Sequence, residues 1–230
     1  MKLSVKWIVF LLVLQPSTVW ADGVNFPSDT WGISFGNSKQ FTGLRFNIAD
    51  KDVEQVTGLN MTLGVPLEGR HYTKPAGEFN GLNIGLLGPL GKRFNGITLG
   101  PLLMGAGDFN GIMIAGGGMT ADDHLRGLAA GLVLVDAQFG AIDGVALAGF
   151  GVRADRLRGI SIGLVGNPIH EVHGLVLGAF NINRSVTGIQ IGLFNSADQL
   201  NGIQIGLVNH AVNNSVPFQY LPVFNAHFSF

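Results

Sequence analysis

The sequence predicts an all-β chain built from one strand copied many times. Three observations carry that prediction: a repeated unit, period-two alternation inside each copy, and too much glycine for helix. The repeat is plainest where Val186-Thr-Gly-Ile-Gln-Ile-Gly-Leu-Phe-Asn195 is followed, after Ser196-Ala-Asp-Gln199, by Leu200-Asn-Gly-Ile-Gln-Ile-Gly-Leu-Val-Asn209. Within that unit Ile203, Ile205 and Leu207 fall on one side, and Gly202, Gln204 and Gly206 on the other, which is the periodicity of a strand. Glycine is 35 of 230 residues. Each glycine inside a helix costs about 1 kcal/mol against alanine, so a helical bundle is excluded.

With the first glycine of each unit as an anchor, the copies sit at Gly43, Gly58, Gly81, Gly96, Gly111, Gly127, Gly144, Gly159, Gly174, Gly188 and Gly202. All the spacings are 14 to 17 residues except one of 23, which holds the polar insert Glu68–Glu78. Trp31-Gly-Ile-Ser-Phe-Gly-Asn37 looks like a degenerate copy before the series, and Phe218–Asn225 like another after it. The units between Gly111 and Gly144 depart most from the pattern. The polar stretches between cores, such as Ser196–Gln199, Gly91–Arg93 and Arg153–Arg156, have the chemistry of turns.

Ahead of the repeats, Met1–Ala21 carries Lys2 and Lys6, the apolar run Trp7–Leu14, and a small-residue end at Ala21. This is the three-part pattern of a secretory signal peptide; a spanning helix needs about 20 apolar residues. The expected organisation is a signal peptide over 1–21 and a single β-repeat domain over 22–230. Without Lys2 and Lys6 the chain has 12 basic and 15 acidic residues. No basic field for nucleic acid is present. The absence of cysteine excludes disulfides and thiolate metal sites.

Two architectures suit strands of uniform length: an up-and-down antiparallel sheet closed as an outer-membrane-type barrel, and a parallel β-solenoid. Nearly palindromic cores such as Gly188-Ile-Gln-Ile-Gly192 and Gly159-Ile-Ser-Ile-Gly163 would set glycine opposite glycine between antiparallel neighbours. The intervening residues are too few and too polar to supply a solenoid's second strand. Ten residues tilted near 45° rise about 23 Å, close to the apolar band of a membrane barrel. The ending Phe224-Asn-Ala-His-Phe-Ser-Phe230 resembles the terminal strand of bacterial outer-membrane barrels, although Pro222 does not suit a central strand. The barrel, of about 12–14 strands, is therefore the leading expectation, with the solenoid as alternative. For the solenoid, Asn181, Asn195 and Asn209 would stack as an asparagine ladder.

From Phe79 to Asn209 the Gly-Ile-Gln-Ile-Gly-Leu-Phe/Val-Asn units resemble those of a bacterial family of surface repeat-containing proteins, as does Leu221-Pro-Val-Phe-Asn225. The resemblance implies an exported protein of the outer membrane or cell surface and brings no activity with it.

No residue is nominated as catalytic, cofactor-binding or metal-ligating, and the chain is expected not to be an enzyme. His170-Glu-Val-His173 reads as a turn, since zinc needs three or four convergent ligands. Asp122-Asp-His124 and Arg153–Arg158 are expected between strands. Gly159-Ile-Ser-Ile-Gly163 matches a nucleophile elbow by letters, but Ser161 falls mid-strand. Asn60, Asn183 and Asn213 each open a glycosylation triplet, of little weight in the bacterial protein that the resemblance implies. The expected role is a structural or passive pore-like envelope element with outer-membrane lipid as partner and no cofactor. The alternative is a secreted solenoid acting as a surface binding or adhesion module.

Overall fold

A computed structural model describes residues 23–64 and 76–229. The signal-peptide segment, most of the insert and Phe230 lie outside the described residues. Fourteen strands form one sheet in chain order. They are β1 (Val24–Pro27), β2 (Trp31–Phe35), β3 (Gln40–Asn47), β4 (Gln55–Thr62) and β5 (Glu78–Gly85). Then follow β6 (Leu90–Gly100), β7 (Leu103–Ala115), β8 (Gly118–Gly131), β9 (Leu134–Ala148) and β10 (Gly151–Gly163). The last four are β11 (Ile169–Leu177), β12 (Phe180–Ile191), β13 (Phe194–Ala211) and β14 (Tyr220–His227).

From β2 to β13 every neighbouring pair is parallel. Equal residues of successive repeats pair: Gly188 with Gly202, Gln190 with Gln204, Asn181 with Asn195. The chain is a β-solenoid, and the antiparallel barrel is overturned. Only β1 on β2 and β14 on β13 run antiparallel, one over each end of the stack. Trp31–Asn37 is a coil as expected, with Gly32 on Gly43. Phe218–Asn225 is not a further coil but part of the reversed strand, and Pro222 sits there on an edge, where proline is tolerated.

The palindromic core misled because its first glycine serves a parallel stack. Gly188 has φ of +137°, and a Cβ there would lie 2.0 Å from the carbonyl oxygen of Gly174 in the coil before. Only glycine supplies both the left-handed backbone and the missing atom. That corner turns the chain, so a single coil holds two alternating segments. The polar stretches read as turns are the other segment: Ser196–Gln199 lies inside β13, Gly91–Arg93 inside β6 and Arg153–Arg156 inside β10. In β13, Asn195 and Ala197 point inward while Ser196 and Asp198 point out. The divergent units from Gly111 to Gly144 stay in register as well. Their extra residues appear as irregularities between Ala106 and Asp108 and between Thr120 and His124.

Four inward rows fill the solenoid. Two steps before each corner glycine the residue is buried and apolar, from Phe41 through Phe79, Phe94 and Phe109 to Leu200. Phe94 stacks between Phe79 and Phe109, with ring centres 4.9 and 5.4 Å away. Two steps after the corner lie Arg45, Asn60, Asn83 and Thr98 at one end, Met113, Ala129 and Ala146 in the middle, and Gln190 and Gln204 at the other end, all buried. A third row runs from Met104, Met119, Val135 and Val152 into Asn167, Asn181, Asn195 and Asn209, and a fourth is largely alanine. Side chains therefore occupy the interior, and the pore-like reading falls with the barrel.

Candidate binding surface

The buried polar rows bond largely among themselves, while Arg45 Nε, Asn83 Nδ2 and Gln204 Oε1 are buried without a partner among the described residues. Asn181 Nδ2 donates to Asn195 Oδ1 at 2.8 Å, and Asn195 Nδ2 to Asn209 Oδ1 at 2.8 Å. Each amide also donates to a backbone carbonyl, Ile191 and Ile205 respectively, at 3.0 Å. The asparagine ladder expected of a solenoid is thus present. Gln204 Nε2 donates to Gln190 Oε1 at 2.7 Å. At the other end Arg45 is fully buried, ion-paired with Asp50 and donating to Asn60 and Asn37. These groups bond one another and hold the interior together.

The residues examined for chemistry do not converge. His170 and His173 lie on β11, not in a turn, and both are exposed. His170 Nδ1 stands 3.0 Å from Asp155 Oδ1. Asp122–His124 lies on β8, and Arg153–Arg158 on β10, not between strands. Among the described residues no group of three His, Asp or Glu is placed to hold a metal ion. Ser161 is buried and donates to Asn167 Oδ1 at 2.9 Å, with no general base beside it in that bond. Asn60 and Asn183 are buried, so neither is open to a sugar. Asn213 is partly buried with both ends of its amide bonded to the backbone of Leu200.

The outward residues divide by chemistry. Before the corner glycine they are mostly polar, with mixed charge, and Phe139 and Ile182 are the large apolar side chains exposed among them. Asn95 donates to Asn80, and Asn110 to Asn95, each at 2.8 Å. Arg93 lies between Asp108 at 3.0 Å and Glu78 at 3.2 Å. Its pKa is raised, first by the hydrogen bond to Asp108 and then by the charges of Asp108 and Glu78. Farther along, Arg126 faces Asp143, and Arg153 faces Asp136.

After the corner glycine every outward residue is apolar. One step on, the coils carry Ile33, Leu44, Leu59 and Leu82, then Ile97 and Ile112, and so on without a polar residue to Ile203. Three steps on, the row runs from Phe35 and Phe46 to Ile191 and Ile205, again wholly apolar. Leu44, Ile97, Ile112 and Ile205 are each about two-fifths exposed. The sequence pattern had set these isoleucines on an apolar side suited to lipid, and they do face outward.

Successive coils rise ~4.8 Å and a strand advances ~3.3 Å per residue. Twelve coils and a segment of five residues thus make an apolar face of about 900 Å². A soluble monomer rarely exposes more than a few hundred Å² of contiguous apolar surface. Among the described residues this face is the surface feature that calls for a partner. The signal for it in the sequence was the isoleucine row itself. No family model, curated protein or solved structure matches the chain.

Proposed function

We propose that the chain is a non-enzymatic, exported surface module that works by docking its long apolar face. The observation that carries this reading is the unbroken outward run of Ile, Leu and Val beside a polar, charge-bearing side. Export is supported by the pattern of residues 1–21 and by the resemblance of the repeats to those of bacterial surface proteins. The rigid stack suits such a role, because each coil is held by its neighbours and presents the same side chains in line.

The chain has no cysteine, so single cysteines report cleanly. With Ile97→Cys and Ile189→Cys on the apolar face and Thr187→Cys on the polar side, cells producing the chain are treated with a membrane-impermeant maleimide. The face positions should be protected and the polar position labelled. Equal labelling at all three positions refutes a docked face. Labelling at none of them until the cells are broken refutes export.

A further inference from the structure

Along one edge of the apolar face the side chains alternate in size. Five steps past the corner glycine, six successive coils carry Gly116, Leu132, Gly149, Leu164, Ala179 and Leu193. The three leucines stand out, at 73%, 68% and 54% exposure. The members are stacked in that order. A Cβ on Gly149 would lie 2.1 Å from the Leu132 carbonyl oxygen. Ala179 N donates to Leu164 O at 3.1 Å, and Leu193 N to Ala179 O at 3.0 Å. Over these six coils the edge is a line of leucine knobs about 9.6 Å apart, two coil rises, with a hole between each pair; the coils on either side carry Pro101 and the exposed Leu207.

A row of six that alternates small and large becomes its own complement when reversed. We propose that the occupant of the apolar face is a second copy of this chain, turned end over end about a two-fold axis that lies in the face between Gly149 and Leu164. This rests on the reading of that face as the docking surface. In this pairing Leu132 enters the hole at Ala179 of the second copy, Leu164 the hole at Gly149, and Leu193 the hole at Gly116, each contact occurring twice. Such reciprocity is what an isologous interface requires. The rows inside the edge meet themselves, Val145 on Ile160 and Leu147 on Ile162.

The extent is sufficient. Eight coils overlap, from Gly96 to Gly202, which at ~4.8 Å per coil and ~16 Å of width is about 600 Å² per copy. The total of about 1,200 Å² reaches the size of specific, stable interfaces. Lipid fits less well. Among the described residues the flanking charges are mixed in sign, with no basic fringe to meet anionic headgroups, and acyl chains have no two-coil period to match the knobs.

The test is sedimentation velocity of the purified full chain over a dilution series, with circular dichroism to confirm the fold of each variant. Wild type should be a dimer. Leu132→Ala empties a hole and Ala179→Leu sets knob against knob. Each acts at two symmetric places and should weaken the dimer about a hundredfold or more. The double variant exchanges knob for hole and should return the dimer to within about tenfold of wild type. A monomeric wild type overturns the proposal, and so does a dimer indifferent to both single variants or a swap that restores nothing. A monomer whose face cysteines are still protected on cells overturns the second copy as partner and leaves the docked face standing. Binding of that monomer to phosphatidylcholine vesicles then makes lipid the partner.

Discussion

Replacing the corner glycine Gly188 by alanine tests the account of the fold directly. Its φ of +137° is one that alanine rarely adopts, and the added Cβ would lie 2.0 Å from Gly174 O and 2.9 Å from Gly174 C. A carbon and a carbonyl oxygen normally stay more than ~3 Å apart, so the coils must part by roughly an ångström there. Backbone strain in such a region is about 1–3 kcal/mol. Two or three weakened ladder hydrogen bonds add about 1 kcal/mol each. The expected loss is therefore about 3–6 kcal/mol, against less than about 0.5 kcal/mol for Thr187→Ala at the exposed neighbouring position. Urea unfolding followed by circular dichroism reads both. Because coils are coupled only to their neighbours, the Gly188→Ala transition should also broaden as the array divides at that point. A Gly188→Ala chain as stable as Thr187→Ala would refute the positive-φ glycine stack as the determinant of the turn.

Three other outcomes follow from the interior. Phe94→Ala removes the middle ring of the Phe79–Phe94–Phe109 stack and should cost about 3–5 kcal/mol in the same assay. Asp50→Asn leaves the buried Arg45 guanidinium without its counter-charge. The expected loss is about 3–5 kcal/mol, unrelieved by added salt, since buried pairs are little screened. Asn195→Leu takes the donors from Asn209 Oδ1 and Ile205 O and the acceptor from Asn181 Nδ2. It should destabilise by about 2–5 kcal/mol and speed amide exchange in β12 and β13 first; exchange that rises uniformly along the chain would argue against a local ladder.

The strand period and the repeat were legible in the sequence, and so was the outward placing of Ile189, Ile191 and Leu193. The direction of the strands was not. A core such as Gly-Ile-Gln-Ile-Gly pairs with itself equally well parallel or reversed, and the letters do not show that Gly188 takes a left-handed conformation. The second segment of each coil was hidden because its outward residues, such as Asp136, Arg153 and Asp198, are those of turns. A signal was available in its inward residues: Ala106, Ala121, Ala137, Ala154 and Ala197 recur nine or ten residues after a corner glycine and are all buried. The buried amides were harder to anticipate, since Asn and Gln are ordinarily surface residues. Stacking in register is what lets each find the next. Alternation of size along the edge row needs the stacking order before it has meaning.

A reversed strand covers each end of the parallel stack. A parallel coil leaves its outer margin with the same unpaired donors and acceptors that received it, so nothing in the repeat itself stops growth. β14 lies on β13 in the opposite sense and carries Pro222, whose missing N–H interrupts whatever margin remains. With β14 deleted, β13 would stand as an open template of the same Gly-Ile-Gln-Ile form that the chain has already copied, and free copies would lay down on it as filaments.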